Sequence, residues 1–234
     1  MRITVLMGGD SSEREVSLAT GRAVVAGLEA AGHTVRPREI DDVASVMTMT
    51  DLRDDDVVFP ALHGGEGEDG HVQAVLDLLG VPYALSGALA SALAMDKAAT
   101  KRVMLGAGIR TPDWLLVTWA RATAGPVVVN GSTPSGEVAG GGALSVAHVC
   151  DRALGELRLP LVVKLNSGGS SVGVEIVERP DQFLPAFDRV TEVATGDQID
   201  ILLERFVPGR ELTATVLLGR RLPLVEIRPH AGFY

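Results

Sequence analysis

Short apolar runs alternate with helical stretches over the first 85 residues, and this alternation limits the chain to few folds. The runs that we interpret as strands are Ile3–Met7, Thr34–Glu39, Val57–Leu62 and Val81–Leu85. Helical stretches lie between them, at about Glu13–Ala31 and His71–Leu79. Strands that are apolar throughout and alternate with helices are typical of a parallel sheet covered on both faces. We therefore predict an N-terminal α/β domain, with ligands bound at the glycine-rich loops after Met7 and Leu62, beyond the carboxyl ends of the strands.

The second half of the chain has a different pattern. From Leu159 it reads as strand, Gly/Ser-rich loop, strand, helix, strand and then a hairpin between Leu212 and Arg228. This order predicts a second, α+β domain with antiparallel strands, and we place the boundary between residues 94 and 95. Residues 120–142 are poor in charge and rich in Gly, Ser, Thr and Pro. We interpret them as a surface insertion, with Asn130-Gly131 as a candidate hairpin turn.

Composition argues against several functional classes. Of the 234 residues, 46% are hydrophobic and 22% are charged, which is typical of globular proteins. The formal net charge is −9 with no basic block, so we expect neither a nucleic acid nor a membrane as partner. The single cysteine, Cys150, rules out an internal disulfide and suits a reducing compartment. Because neither a signal peptide nor an apolar window of about 18 residues is visible, we expect a cytoplasmic protein.

Lys164 follows the apolar run Leu159–Val163 and precedes the Gly/Ser-rich loop Asn166–Gly173. Lysine is rarely buried without a partner, and a flexible loop full of hydrogen-bond donors is costly to order. Both features are explained if an anion binds there. Lys97, at the start of a predicted helix, is a second candidate phosphate ligand, although the chain has no G-x-x-x-x-G-K-S/T loop. The alternative for each lysine is a solvated charge.

The loop Gly65–Gly70 reads GEGEDG and matches the G-x-G-x-x-G pattern of dinucleotide-binding proteins. Such loops work by offering bare N–H groups to a pyrophosphate, whereas this loop carries three carboxylates. Together with His63 beside it, the acidic loop suits a cationic group such as an ammonium. A nicotinamide-dependent enzyme stays open as an alternative that rests on this loop alone.

Three further carboxylates are candidates for binding roles. Ser12 and Glu15 have the spacing of a capping box, which leaves Glu13 as an additional carboxylate near the carboxyl edge of the sheet. Glu204 and Glu211 flank the segment FVPGR and follow or begin predicted strands. Carboxylates in such places can hold a ribose or an amino group, and the alternative is ordinary charges at strand ends.

Five motifs, in this order, resemble those of the D-alanine–D-alanine ligase family of ATP-grasp enzymes. They are GGDSSEREVSLATG (8–21), ALHGGEGEDG (61–70), ALAMDKAATK (92–101), GGSSVG (168–173) and LLERFVPGRE (202–211). The resemblance covers nearly the whole chain apart from the insertion at 120–142. It implies an α/β, pre-ATP-grasp, Rossmann-like domain with a parallel sheet at 1–94. An ATP-grasp α+β domain would follow, with its central subdomain at 95–205 and the start of its C-terminal subdomain at 206–234.

The family resemblance implies that ATP activates one D-alanine carboxylate as an acyl phosphate, which the amine of a second D-alanine attacks. The product would be D-alanyl-D-alanine for peptidoglycan precursor synthesis. By motif match, Glu13 would orient the ammonium of the first D-alanine and Ser170 would be its hydrogen-bonding partner. His63 would be a neighbour of that substrate.

The resemblance also implies a set of contacts to ATP. Lys97 and Lys164 would bind the phosphates, with Glu204 among the nucleotide contacts. The backbone at Arg205 and Val207 would contact adenine, and Glu211 would bind the ribose. Closure of the Gly/Ser-rich loop would then exclude water from an acyl phosphate that hydrolyses readily.

Two features depart from the family pattern. Leu165 stands where the family usually has proline after the lysine. The sequence stops at Tyr234, before the tyrosine-bearing loop, the oxyanion arginine and the acidic and asparagine ligands of Mg²⁺ that the family has. The resemblance implies Mg²⁺ as a cofactor, but the residues expected to bind it are missing from this chain. We therefore expect the chain to be inactive by itself. The alternatives are a non-catalytic relative that binds nucleotide or amino acid, and a ligase for another amino or hydroxy acid. A homodimer through the first domain is a further expectation.

Overall fold

The computed structural model describes residues 1–120, 127–132, 143–169 and 172–228, with the backbone only at 127–132 and 143–144. The chain forms two compact units, and each is described by itself. The first unit contains Met1–Thr111 and Asn166–Gly169, and the second contains Pro112–Leu165 and the chain from Ser170. The first unit thus extends past residue 94. The predicted boundaries at 94/95, from the change of pattern, and at 205/206, from the family resemblance, stay predictions.

The first unit is built on a three-stranded parallel sheet with the order β2-β1-β3. Its strands are β1 (Arg2–Gly8), β2 (Thr34–Ile40) and β3 (Val57–Pro60). Its helices are α1 (Arg14–Ala30), α2 (His71–Leu79), α3 (Ala88–Met95) and α4 (Lys97–Gly106), with 3₁₀ turns at Ala44–Thr48, Thr50–Asp54 and Gly65–Gly67. The predicted strand Val81–Leu85 is only a single parallel bridge between Tyr83 and Val58, since Pro82 has no N–H for a ladder.

Both faces of this sheet are covered by apolar side chains, as the unbroken apolar strands predicted. On one face Val5 and Met7 pack with Leu18 of α1. On the other face Leu6 packs with Leu76 of α2. All five side chains are less than a tenth exposed, so the loops at the carboxyl ends of β1 and β3 extend from a rigid base.

The second unit is built on a six-stranded antiparallel sheet with the order β6-β5-β4-β9-β7-β8. Its strands are β4 (Trp114–Ala120), β5 (Val127–Ser132), β6 (Ala143–Leu144), β7 (Leu161–Leu165), β8 (Val174–Val177) and β9 (Gln198–Arg205). The helices α5 (Val146–Glu156) and α6 (Phe183–Val193) pack on one face, where Phe183 and Phe187 are fully buried with Leu203. The predicted α/β and α+β fold classes are both present.

Two short hairpins complete the described part of this unit, and they are nested within the predicted hairpin. The strands β10 (Glu211–Thr213) and β13 (Val225–Ile227) form the outer pair, and β11 (Val216–Leu217) and β12 (Arg220–Arg221) form the inner pair. The predicted turn at Asn130-Gly131 is wrong, because both residues lie inside β5 and pair with Leu116 and Leu115 of β4. None of the helices in the described ranges has the length and apolar character needed to cross a bilayer.

Candidate active site

The buried hydroxyl of Ser17 ties together the ends of β1 and β3. Ser17 Oγ accepts a hydrogen bond from the Gly8 N–H at 2.9 Å and donates to the Ala61 carbonyl at 2.7 Å. Ser17 is fully buried in α1. Two strand ends that are 53 positions apart in the sequence are therefore fixed to one side chain, and the two glycine-rich loops start from fixed points.

Glu13 stands at the N-cap position of α1, and the predicted capping box is not formed. The helix begins at Arg14, one residue later than a box with Ser12 at the cap requires, and no side chain caps it. Instead, Ser11 Oγ accepts from the Glu13 N–H at 3.1 Å and donates to the His63 carbonyl at 2.5 Å. The Glu13 N–H thus bonds to a side chain of the preceding loop, and the spacing of Ser12 and Glu15 does not produce a cap.

The Glu13 carboxylate lies directly against Gly64, the residue after His63. Gly64 has φ +69°, and a Cβ built there would be 2.8 Å from Glu13 Oε2 and 3.2 Å from Ser11 Oγ. Glycine is required here for two reasons, since left-handed backbone and close approach both disfavour a side chain. The structure therefore brings the predicted substrate residue Glu13 together with the loop of His63.

The imidazole of His63 is contacted on both of its nitrogens. Its Nε2 lies 3.0 Å from Thr20 Oγ1, and its Nδ1 lies 3.4 Å from Glu68 Oε1. The ring borders a cavity of about 350 Å³. The cavity lining consists of Thr20, Phe59, Pro60, Ala61, Leu62, His63, Gly67, Glu68, Gln73, Leu85, Ser86 and Ser91. Sequence reasoning missed Thr20, which lies one helical turn after Ser17 on α1; it falls within the motif at 8–21, but no pattern singles it out there.

The arrangement of the GEGEDG loop argues against dinucleotide binding. Asp69 Oδ1 accepts from the N–H of His71, the first residue of α2, at 3.2 Å and from His71 Nδ1 at 2.6 Å. A carboxylate thus occupies the helix N-terminus where a pyrophosphate would bind. Gly67 and Gly70 are needed for packing, since a Cβ would lie 2.6 Å from Leu62 Cβ and 2.5 Å from the Ala88 carbonyl oxygen, respectively.

Lys164 and Glu204 form an ion pair on one face of the second unit's sheet. Val162 of β7 lies opposite Glu204 of β9, and Lys164 lies opposite Leu202, so the two charged residues are diagonal neighbours. The ammonium contacts Glu204 Oε2, and the two side chains are 21% and 11% exposed. The lysine at the strand end therefore has a carboxylate partner, which the sequence analysis did not assign to it.

Arg205, Val207 and Glu211 follow along the chain, at the end of β9 and beyond it. The Arg205 N–H donates to the Asp113 carbonyl at 2.9 Å, and its guanidinium lies 3.7 Å from Asp113 Oδ2. Val207 and Glu211 are exposed, the latter at the start of β10. These residues share the second unit with Lys164, and their contacts to a nucleotide stay predictions.

Lys97 belongs to the first unit, where it begins α4. Its Nζ donates to the carbonyls of Asn166 and Gly168 at 3.2 and 2.7 Å. The predicted residue Ser170 lies outside the described residues. Within the described ranges, no group of three or more His, Cys, Asp or Glu side chains could hold a metal ion. The described residues therefore provide no such cluster for Mg²⁺.

Comparison with known proteins gives matches over the whole chain. The family model for the D-ala D-ala ligase N-terminus matches residues 38–86, and the model for the D-ala D-ala ligase C-terminus matches residues 142–234. The D-alanine–D-alanine ligases of Desulforudis audaxviator and Moorella thermoacetica are 44% and 41% identical over 237 residues. Those alignments cover 100% of this chain and 67% and 68% of the two relatives.

A solved structure gives the same result. The crystal structure of the D-alanine–D-alanine ligase from Bacillus anthracis complexed with ATP has a TM-score of 0.75 at 33% identity, covering 100% of this chain and 68% of that chain. The chain thus spans about two thirds of the length of the proteins that it matches. The family and the fold class predicted from the five ordered motifs are confirmed, and the chain belongs to the D-alanine–D-alanine ligase family.

Proposed function

We propose that this chain provides the D-alanine and ATP sites of a D-alanine–D-alanine ligase that serves peptidoglycan precursor synthesis. The observation that carries the proposal is the position of the Glu13 carboxylate against the loop of His63, with Ser11 holding both loops. Relatives named D-alanine–D-alanine ligase, 44% and 41% identical, support the same activity.

The acidic loops suit the ammonium end of an amino acid. Glu13 provides a carboxylate beside Gly64, and Glu68 provides a second near His63. An ammonium placed among these carboxylates keeps its charge, because opposite charges within about 4–6 Å favour the charged form. His63, held by Thr20 at 3.0 Å, then borders the bound D-alanine. The role of Ser170 as partner of Glu13 stays a prediction.

The strand face of the second unit suits a phosphate. An ammonium has three donors, and Glu204 leaves Lys164 able to donate to phosphate oxygens as well. The carboxylate also keeps Lys164 from being an unpaired, mostly buried charge when no nucleotide is bound. Lys97 of the first unit is the other proposed phosphate contact. An adenine contact from the Arg205 backbone would use its carbonyl, since its N–H is taken by Asp113, while Val207 would offer its backbone and Glu211 would bind the ribose.

The proposed reaction has two chemical steps. A carboxylate oxygen of the first D-alanine attacks the γ-phosphorus of ATP, the bond to the β-phosphate oxygen breaks, and ADP leaves. The amine of the second D-alanine then attacks the acyl carbon, loses a proton, and expels inorganic phosphate to leave the dipeptide. The cationic side chains offset negative charge on the transferred phosphoryl group, which is the main demand of phosphoryl transfer.

The test is phosphate release from ATP that depends on D-alanine, measured in the full-length protein, by which we mean the chain extended past Tyr234 to the length of its relatives. Lys164→Met should lower that rate on the order of a hundredfold, because it removes a preorganised cation from the phosphate. The matched control is Arg189→Met, which breaks the ion pair with Glu175 on an exposed face of the same unit and should leave the rate unchanged. Full activity of Lys164→Met would refute the phosphate role.

A further inference from the structure

The first turn of α4 is capped by a residue that lies 69 positions away from it in the sequence. The N–H of Lys97 donates to the Asn166 carbonyl at 3.2 Å, and the N–H of Ala98 donates to Asn166 Oδ1 at 2.9 Å. The N–H of Ala99 donates to Asp96 Oδ1 at 2.8 Å. These N–H groups have no partner within the helix itself, so Asn166 provides what the helix lacks.

Both polar atoms of the Asn166 side-chain amide form hydrogen bonds here. Oδ1 accepts from Ala98, while Nδ2 donates to Asp96 Oδ1 at 3.0 Å. Asn166 is only 2% exposed, so water cannot readily replace these bonds. Aspartate in this position would bring a second carboxylate against Asp96, and alanine would leave a buried N–H and a carboxylate oxygen each with one partner fewer.

The capping has a consequence for anion binding. A helix N-terminus attracts phosphate through its first N–H groups, but those of Lys97, Ala98 and Ala99 are already bonded within the protein. At this end of α4, the group that we assign to a phosphate is therefore the Lys97 side chain. Its position is set by the Asn166 and Gly168 carbonyls, which accept from Nζ at 3.2 and 2.7 Å.

We propose that Asn166 is a positioning residue for Lys97: it fixes the first turn of α4 to the start of the Gly/Ser-rich loop and so holds the lysine ammonium in place for ATP. All of these contacts lie within the first compact unit, which contains Asn166–Gly169. The inference rests on the proposed function, because it assigns Asn166 a part in the phosphate contact of Lys97. Asn166 acts through Lys97 and does not itself touch the nucleotide.

The decisive experiment combines Asn166→Ala with Lys97→Met in the full-length protein and measures the KM values for ATP and for D-alanine. Asn166→Ala should raise the KM for ATP roughly tenfold, since a displaced binding group loses its geometry, and should leave the KM for D-alanine unchanged. In the Lys97→Met background, Asn166→Ala should have no further effect on the KM for ATP. An equal effect in both backgrounds would overturn the inference while leaving the proposed function intact.

Two controls separate the possible failures. If Lys97→Met alone leaves the KM for ATP unchanged, the proposed role of Lys97 is refuted and the inference is refuted with it. Ser145→Ala removes the side-chain cap of α5, where Ser145 Oγ accepts from the His148 N–H, and it should leave the KM for ATP unchanged. A rise in the KM for ATP equal to that of Asn166→Ala would show that loss of any helix cap suffices, which would overturn the inference.

A reciprocal exchange covers the case in which Asn166→Ala does not fold. Asn166→Asp places two carboxylates together and should weaken ATP binding, as measured by titration calorimetry with ATP. The double variant Asp96→Asn and Asn166→Asp restores one amide and one carboxylate and should recover at least part of the lost affinity. If the double variant binds ATP no better than Asn166→Asp, the hydrogen bond between positions 96 and 166 does not position Lys97, and the inference fails.

Discussion

The loops of Glu13 and His63 are held by hydrogen bonds between distant segments, whereas Lys164 and Glu204 are held by the register of one sheet. In the first case small side chains, Ser11 and Ser17, satisfy backbone groups of two loops. In the second case the antiparallel pairing of β7 with β9 makes the two charged residues diagonal neighbours, so that their side chains meet. The stability of the loops of Glu13 and His63 should therefore depend on a few small residues, while the strand face should stay folded after changes that keep the sheet intact.

Removing the Ser17 hydroxyl gives the largest expected loss of stability. Ser17→Ala leaves the Gly8 N–H and the Ala61 carbonyl without their partner in a buried place, which should lower the free energy of unfolding by roughly 2–4 kcal/mol. Chemical denaturation followed by circular dichroism would measure it. The partly exposed Thr191 of α6, whose hydroxyl donates to the Asp188 carbonyl, offers a control, since Thr191→Ala should change stability far less. Equal losses would mean that Ser17 does not hold the loops.

Breaking the ion pair on the sheet gives a smaller expected loss. Glu204→Leu leaves the mostly buried Lys164 ammonium unpaired and should lower the free energy of unfolding by roughly 2 kcal/mol. Adding Lys164→Met should recover most of that loss, because the strand register does not depend on the pair. A double variant that is no more stable than Glu204→Leu would show that the unpaired ammonium carries no such cost, which would contradict this prediction.

The control for that measurement is the exposed pair of Arg189 and Glu175, whose side chains are 54% and 29% exposed. Exposed ion pairs contribute little because water and salt screen them. Arg189→Met should therefore change the free energy of unfolding far less than Glu204→Leu does, measured by the same denaturation.

A side chain at Gly64 tests the contact between the loops of Glu13 and His63. Gly64→Ala strains a residue at φ +69° and ψ 164°, a backbone conformation that almost only glycine adopts, and displaces the Glu13 carboxylate, which lies 2.8 Å from the new Cβ. Gly80 has a similar φ of +67° but a ψ of 31°, in the left-handed helical region, with nothing within 4 Å of a Cβ, so Gly80→Ala should show a smaller strain and displace nothing. We expect Gly64→Ala to lose more stability than Gly80→Ala and only Gly64→Ala to weaken D-alanine binding in titration calorimetry. Equal binding by both would place the D-alanine ammonium away from Glu13.

The strand pattern and the order of motifs were enough to predict the fold class and the family, but not the bonds that build the site. Ser11, Ser17 and Thr20 find their partners 52, 44 and 43 positions away, and nothing local in the sequence signals such pairs. The partner of Lys164 depends on how β7 aligns with β9, which the sequence leaves open. The turn signal of Asn130-Gly131 failed because pairing with β4 outweighs local turn preference.

The smallest expected effect is a pH dependence confined to the loop of the first unit. The Asp69 carboxylate, hydrogen-bonded to His71 Nδ1, raises the pKa of His71 above its ordinary value of 6.5. Because the folded protein holds this proton more tightly than the unfolded chain, the stabilisation is complete below pH 6.5 and is lost as the pH rises through the raised pKa. The free energy of unfolding of the parent protein, titrated across that range, should therefore approach that of His71→Gln as the pH increases.

Asp69→Asn is the matched control for that titration, since it removes the charge that raises the pKa of His71 and should abolish the same pH dependence. The strand-face variant Glu204→Leu should keep it, because the dependence belongs to the loop that follows β3. If Glu204→Leu also removed it, the two sites would not be set independently. Such a result would contradict the distinction between loops that are held by hydrogen bonds and charges that are held by the register of a sheet.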